Sequence, residues 1–302
     1  MKMNFTSPIW LQSAGNIGGK EWVTFTDAVG NPELELYGSE MYAISTYMGN
    51  TITQEIPDNV GRITIQSDSD TEITIFGKII NFGGYLSWDG SKAKISSIDV
   101  THAKSLKTLR CMEGTLTHLD VSKNTELIEL KCDKNQLTSI DVSNNTKLER
   151  LICNNNQLTS IDVSNNPSLI LFAAGDNQLT SVNIGKKLYF ISISLSNNQI
   201  TSFYCASTIT SISLRNNRLT QLTLGDFVQT NPPTYDLSNN ETILSINILS
   251  KINIEAVASS ISNLISSATS VDGVITLCQE GEYNQTIIDA AMEKGWDVQY
   301  YD

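Results

Sequence analysis

Apolar residues return every 21 positions through the middle of this chain. The anchors Ile95, Leu116, Leu137, Leu158, Leu179, Ile200 and Leu219 are spaced 21, 21, 21, 21, 21 and 19 residues apart. Leu137–Gln157 reads LTSIDVSNNTKLERLICNNNQ and Leu158–Gln178 reads LTSIDVSNNPSLILFAAGDNQ. Leu116–Gln136 is a close copy and Ile95–Thr115 a looser one, and Leu179–Gln199 and Ile200–Arg218 continue the series. A second pattern runs inside each copy. Leu109-x-Cys111-x-x-Gly114 becomes Leu130-x-Cys132-x-x-Asn135, Leu151-x-Cys153-x-x-Asn156 and Phe172-x-Ala174-x-x-Asn177. It continues through Ile193-x-Leu195-x-x-Asn198 and Ile212-x-Leu214-x-x-Asn217, and it closes at Tyr235-x-Leu237-x-x-Asn240 after a short insertion holding Pro232 and Pro233.

Apolar residues two apart point to one side of a strand, so each Leu-x-Cys pair predicts a short strand with one inward face. Stacked copies then place like residues above one another, ~4.8 Å apart. The Asn three residues on ends each strand and can bond backbone groups of the turn that burial would otherwise orphan. No coil buries its own apolar face; its neighbours do that.

Leu127-x-x-Leu130-x-Cys132-x-x-Asn135-x-Leu137 matches at every anchor the pattern L-x-x-L-x-L-x-x-N/C-x-L. The chain thus resembles the leucine-rich repeat. The 21-residue length and the Leu-Thr-Ser-Ile-Asp-Val-Ser connection are similar to bacterial internalin-like arrays and to cell-surface arrays of gut Bacteroidetes. The resemblance covers about residues 95–245. It implies a right-handed solenoid, a binding role and an exported or cell-surface location.

The flanks lack the repeat. Trp22–Phe25, Glu33–Tyr37, Ile63–Gln66 and Glu72–Phe76 are β-rich runs between turn residues, and Ile79–Phe82 leads toward the array. Trp88 lies 21 residues before Leu109, which predicts a degenerate first coil there. Beyond Asn253, Ile254, Val257, Ile261, Leu264 and Ile265 fall at helical spacing, Val274–Cys278 reads as a strand, and Thr286–Lys294 reads as a helix stopped by Gly295. Trp296–Tyr301 reads as a last strand, and the Lys-Gly-Trp-x-Val ending resembles the C-terminal caps of those bacterial arrays. The expected organisation is a β-rich N-terminal cap region over 1–94, the solenoid over 95–250 and an α/β cap over 251–302, with no Pro/Gly/Ser-rich linker between them. The fold class is an α/β solenoid dominated by β, with about seven coils.

Composition narrows the partners. The chain has 302 residues, 40% of them hydrophobic and 17% charged, with 20 Lys+Arg against 32 Asp+Glu for a net charge of -12. That balance argues against nucleic acid, because neutralising a phosphate backbone takes clustered Lys and Arg. No apolar run reaches the ~18–20 residues of a membrane span. Met1–Trp10 shows no long apolar stretch, so no signal peptide is expected in these residues.

Candidate chemistry is sparse. Cys111, Cys132 and Cys153 share one ladder position with Ala174, Leu195 and Leu214, which marks a buried apolar slot rather than a metal or redox site. Cys205 and Cys278 have no partner that the sequence identifies. Asp99, Asp120, Asp141 and Asp162 form a second ladder, and Asp141–Asn145 alternates oxygen ligands in a faintly calcium-like way. Acceptors of turn N–H bonds are the expected role of these carboxylates. His102 and His118, the two histidines, read as surface or turn residues. There is no GxSxG, P-loop, HExxH or helix-opening GxGxxG. We therefore expect no enzyme, no cofactor and no metal.

Strand alternation assigns an outward face. It is charged and mixed at Arg110, Glu129, Lys131 and Arg150, apolar at Ile152 and Leu171, and hydroxyl-rich from Ser192 onward. Arg110, Glu129, Lys131, Arg150, Ile152 and Leu171 are the expected partner-binding set on a concave sheet. A protein partner is favoured, with a glycan on the Ser-rich end as the lesser alternative, and the chain is expected to be a monomer. A structural or adhesive component without a discrete ligand is the alternative function.

Overall fold

The computed structural model describes residues 21–27, 33–58, 61–64, 71–84, 94–185, 189–205, 208–224, 234–240, 242–248, 255–269, 273–278 and 285–301. The repeat builds a β-solenoid of the leucine-rich-repeat type with about seven coils. Each coil gives one strand to a long parallel sheet: β7 (Thr108–Arg110), β8 (Glu129–Lys131), β9 (Arg150–Ile152), β11 (Leu171–Ala173), β13 (Tyr189–Ser194), β15 (Thr208–Ser213) and β17 (Thr234–Asp236). Their central residues stack in register, Leu109 on Leu130, Leu130 on Leu151 and Phe172 on both Leu151 and Ile193.

The inward ladders follow the 21-residue period. In one coil Leu116, Leu119, Val121, Leu127, Leu130 and Cys132 are all buried. Each such side chain contributes roughly 1.5–3 kcal/mol before chain entropy is counted. Cys111, Cys132 and Cys153 have no exposed surface, as expected of the slot they share with Ala174, Leu195 and Leu214.

Two asparagine ladders hold the coils together. At the strand ends, Asn156 Nδ2 donates to the carbonyls of Cys132 and Cys153, both at 3.1 Å, while its Oδ1 accepts from Leu137 N at 3.0 Å. Asn135, Asn177, Asn198, Asn217 and Asn240 repeat the arrangement. The first coil has Gly114 in this slot. A Cβ there would lie 2.2 Å from the carbonyl oxygen of Ile95, so no side chain fits. Before each slot the backbone turns left-handed, at Glu113, Lys134, Asn155, Asp176, Asn197, Asn216 and Asn239. Asn and Asp tolerate that conformation best, which accounts for the Asn-Asn pairs of the later coils. The second ladder, Asn124, Asn145 and Asn166, was not legible as such in the repeat. Asn145 is fully buried, and its Nδ2 donates to Val121 O at 3.0 Å and Asn124 O at 2.9 Å in the coil before it.

On the opposite side of the coils a second parallel pairing forms between the fourth and fifth copies of the repeat. β10 (Ser160–Asp162) pairs in parallel with β12 (Ser181–Asn183). Further on, β14 (Ser202–Cys205), β16 (Gln221–Leu224), β18 (Ser245–Ile248), β19 (Val274–Cys278) and β20 (Asp297–Tyr301) form a five-stranded parallel sheet. Two helices, α1 (Glu255–Ser267) and α2 (Gln285–Lys294), connect its last three strands and pack on each other, and α1 also packs on β17. They stand where further strands of the long sheet would lie, and α1 covers its open edge. The expected stop at Gly295 is a Schellman turn: its φ is 84°, its N–H donates to Met292 O, and Trp296 N donates to Ala291 O. Ile254 falls outside the described residues.

The N-terminal part is an antiparallel sheet of β1 (Trp22–Asp27), β2 (Glu33–Tyr47), β3 (Asn50–Ile56), β4 (Gly61–Thr64) and β5 (Thr71–Gly84), in which β2 pairs with β3, β4 and β5, β5 also pairs with β1, and β6 (Ile95–Asp99) pairs back on β1. The runs Glu72–Phe76 and Ile79–Phe82 belong to one strand, β5. Its end, Asn81–Gly83, turns parallel and pairs with β7, putting Phe82 beside Leu109. The array is therefore seeded 27 residues before Leu109, not 21. Trp88 lies outside the described residues. Contacts from Glu21 and from the start of β1 tie this sheet to the first coil. Glu21 Oε1 accepts from Ser105 N at 2.8 Å, and the Trp22 ring stacks on His102 with centroids 3.8 Å apart.

Candidate functional site

The long sheet presents its outward residues in rows, because the strands pair in parallel and in register. One row runs Thr108, Glu129, Arg150, Leu171, Ser192, and the next runs Arg110, Lys131, Ile152, Ala173, Ser194. All six residues singled out by strand alternation lie in these two rows, on three neighbouring coils and the one before them.

Four of the six form one ion cluster. Arg110 Nε donates to Glu129 Oε1 at 2.8 Å, Lys131 Nζ lies 3.6 Å from the same oxygen, and Arg150 Nη1 lies 3.7 Å from Oε2. Glu129 was expected to face solvent. It does lie in the outward row, but the cations on both sides close over it and leave it 8% exposed. Burial by itself raises the carboxyl pKa. The Arg110 hydrogen bond and charge outweigh that, with Lys131 and Arg150 adding to them, and the group sits below its usual value. The cations themselves stay accessible, with side-chain exposures of 33% for Arg110, 28% for Lys131 and 49% for Arg150.

Beside this cluster the face becomes apolar. Ile152 pairs laterally with Lys131 and Leu171 with Arg150, and both apolar side chains are half-buried. One row further, Asp133 is half-buried, and burial pushes its carboxyl above the usual carboxylate range. Asn154 Oδ1 accepts from Gly175 N at 2.7 Å, a coil-to-coil bond with no signal in the repeat. The hydroxyl-rich end is partly self-satisfied, with the hydroxyls of Ser196 and Ser213 2.6 Å apart.

The acidic ladder has the local geometry expected of turn acceptors. Asp120 Oδ1 accepts from Ser122 N at 2.9 Å, Asp141 Oδ1 from Ser143 N at 2.9 Å and Asp162 Oδ1 from Ser164 N at 2.8 Å. Asp99 accepts from both the N–H and the hydroxyl of Thr101. Among the described residues no three His, Cys, Asp or Glu side chains converge as a metal site, and no helix is long and apolar enough to cross a membrane. The cysteine ladder is chemically quiet: burial pushes the thiols of Cys111 and Cys153 up to about 12 and that of Cys132 well above its ordinary value. The side chains of Cys205 and Cys278 lie outside the described residues.

No family model matches the chain, and no curated protein matches it. Among solved structures it is similar to the functional domain of InlJ from Listeria monocytogenes, which includes a cysteine ladder. The two share 22% sequence identity over 68% of this chain and 52% of that one, with a TM-score of 0.35. The match thus spans about half the length of that domain.

Proposed function

We propose that this protein is a non-enzymatic recognition module that binds a protein partner through the outward face of its long parallel sheet. One observation carries the reading: the in-register adjacency of Arg150 with Leu171 and of Lys131 with Ile152. It sets accessible cations directly beside half-buried aliphatic side chains on a regular hydrogen-bonded sheet. Interfaces concentrate their energy in such mixed patches, where an apolar contact expels water and a neighbouring Arg fixes orientation. Rigid coils add to this, because little conformational entropy is lost on binding. The inward side chains of Leu109, Leu130 and Leu151 support the face from below.

A pull-down comparing the intact protein with the Ile152→Glu/Leu171→Glu variant tests the proposal, with melting curves showing that both are folded. A partner held by the first and lost by the second is the expected result. If every partner is retained by the variant, the face is only scaffold and the protein is a structural or adhesive component.

A further inference from the structure

Resting on that reading, we infer that the partner segment is acidic: Lys131 and Arg150 receive carboxylates of an extended protein segment whose apolar residues pack on Ile152 and Leu171. Three cations surround one carboxylate here, on a chain whose net charge is -12. Among them Arg110 makes the hydrogen bond that holds Glu129, at 2.8 Å. Lys131 and Arg150 stand at 3.6 and 3.7 Å, inside ion-pair range but beyond a hydrogen bond. Glu129 therefore orients these two without consuming their donors. A lysine ammonium and a half-exposed guanidinium aimed off a sheet face are matched by carboxylates.

The surrounding charges are consistent with this. Glu113, at the end of the first coil, is engaged by Lys134 at 2.8 Å, and Glu126 by Lys147 at 2.6 Å, so neither neutralises the cluster. Asp133, half-buried in the next row, lies close enough to Lys131 to feel its charge, and with it and Glu129 both ionised three cations still stand against two carboxylates. The overall negative charge does not repel an acidic segment at contact, because salt screens beyond about 8–10 Å. Row spacing sets the register: cation and aliphatic side chain lie on adjacent strands ~4.8 Å apart. An extended chain turns successive residues to opposite faces, so a segment with an acidic and an apolar residue two positions apart presents both to the sheet ~6.6 Å apart, the spacing of Arg150 and Ile152 along β9.

The test uses the whole protein and labelled dodecapeptides in fluorescence anisotropy. The probes are a Glu/Leu peptide of three Glu-Ser-Leu-Ser repeats, which shows both residue kinds on one face, its Gln/Leu and Lys/Leu counterparts, and a heparin fragment as a sulfated control. At about 50 mM NaCl the Glu/Leu peptide is expected to bind roughly tenfold tighter than the Gln/Leu peptide, the advantage of two partly exposed charge pairs, and the gap narrows at about 200 mM. Arg150→Gln and Lys131→Gln each shrink that gap, whereas Lys104→Gln, the same charge change at an exposed turn, leaves it. No binding of the Glu/Leu peptide, equal affinity for the Glu and Gln peptides, equal effects of Lys104→Gln and Arg150→Gln, or Arg150-dependent binding of heparin alone overturns the inference. Equal affinities that both vanish in Ile152→Glu/Leu171→Glu overturn the acidic preference while leaving the recognition face intact.

Discussion

Asn135 accepts from Leu116 N at the start of its own coil at 3.0 Å, and donates to Cys132 O at 3.1 Å and to Cys111 O of the coil before at 2.8 Å, so one side chain stitches three backbone groups of two coils. Its equivalent one coil on, Asn156, does the same for Leu137, Cys132 and Cys153. Asn156→Ala strands those groups away from water, and each buried unpaired polar group costs about 1–3 kcal/mol. We expect a loss of about 3 kcal/mol or more in urea denaturation. A midpoint within error of the parent protein would show that water replaces the amide.

Leu130 is fully buried between Leu109 and Leu151. Leu130→Ala opens a cavity and is expected to cost about 2–5 kcal/mol. Because every coil leans on its neighbours, the loss should lower the melting temperature of the array and not merely fray one coil. An unchanged melting curve would contradict the packing.

The coil pitch, the inward ladders, the strand-ending asparagines and the helix–strand ending are all legible in the sequence, because a fixed period repeats each contact with the same residue types. What the sequence hides is aperiodic. Trp22 pairs with Phe76 and Thr24 with Asp99, antiparallel partners far apart in the chain and carrying no repeat. Phe82 joins the array because β5, still antiparallel to β2 on one edge, passes on the other from antiparallel β1 to parallel β7, and no spacing rule marks that point. The closed cage around Glu129 was hidden for a different reason. Alternation puts Glu129 outward, and only the lengths of the Arg110, Lys131 and Arg150 side chains on three adjacent strands bury it.

Hydrogen bonds from Ser122 hold the Asp120 carboxyl, and those from Ser143 hold the Asp141 carboxyl, below the ordinary carboxylate value. A depressed folded-state value stabilises the fold above the unfolded-state pKa of about 3.9, and that contribution is lost as pH falls through the lower folded value. Both groups are largely exposed, so the effect is small and salt-sensitive. The Asp120→Asn/Asp141→Asn variant keeps the turn bonds and loses the titration. Its stability should match the parent at pH 7 and fall less steeply below pH 4; parallel acid transitions would refute the assignment.

Each loop brings a single carboxylate whose Oδ1 already accepts a turn N–H, as at Asp141. Millimolar calcium and EDTA should therefore give equal melting temperatures. A calcium-dependent rise abolished by Asp141→Asn would make the ladder a metal site. Specific binding at a hundredfold excess over Kd would add about 2.7 kcal/mol, which a melting curve resolves.

Burial raises the thiols of Cys111, Cys132 and Cys153, so the thiolate fraction of each is very low at neutral pH. In the native protein all three should resist a maleimide at pH 7.5, and peptide mapping should find them labelled only after unfolding. Native labelling of Cys132 at the rate of a free thiol would show that the ladder opens.

The asparagine stitches also bear on how long such a molecule can be. Every bond that Asn135 makes to the coil before it is made again by Asn156 to its own predecessor, so a coil cannot tell whether its neighbour is an original or a duplicate. Doubling one 21-residue segment between Leu116 and Leu158 would therefore lengthen the sheet by ~4.8 Å without opening a new end, because the β5 strand and the α1 helix still close the same two edges. Array length is thus a quantity that recombination within the gene can adjust in single steps, and with it the distance between the charged cluster and the hydroxyl-rich end.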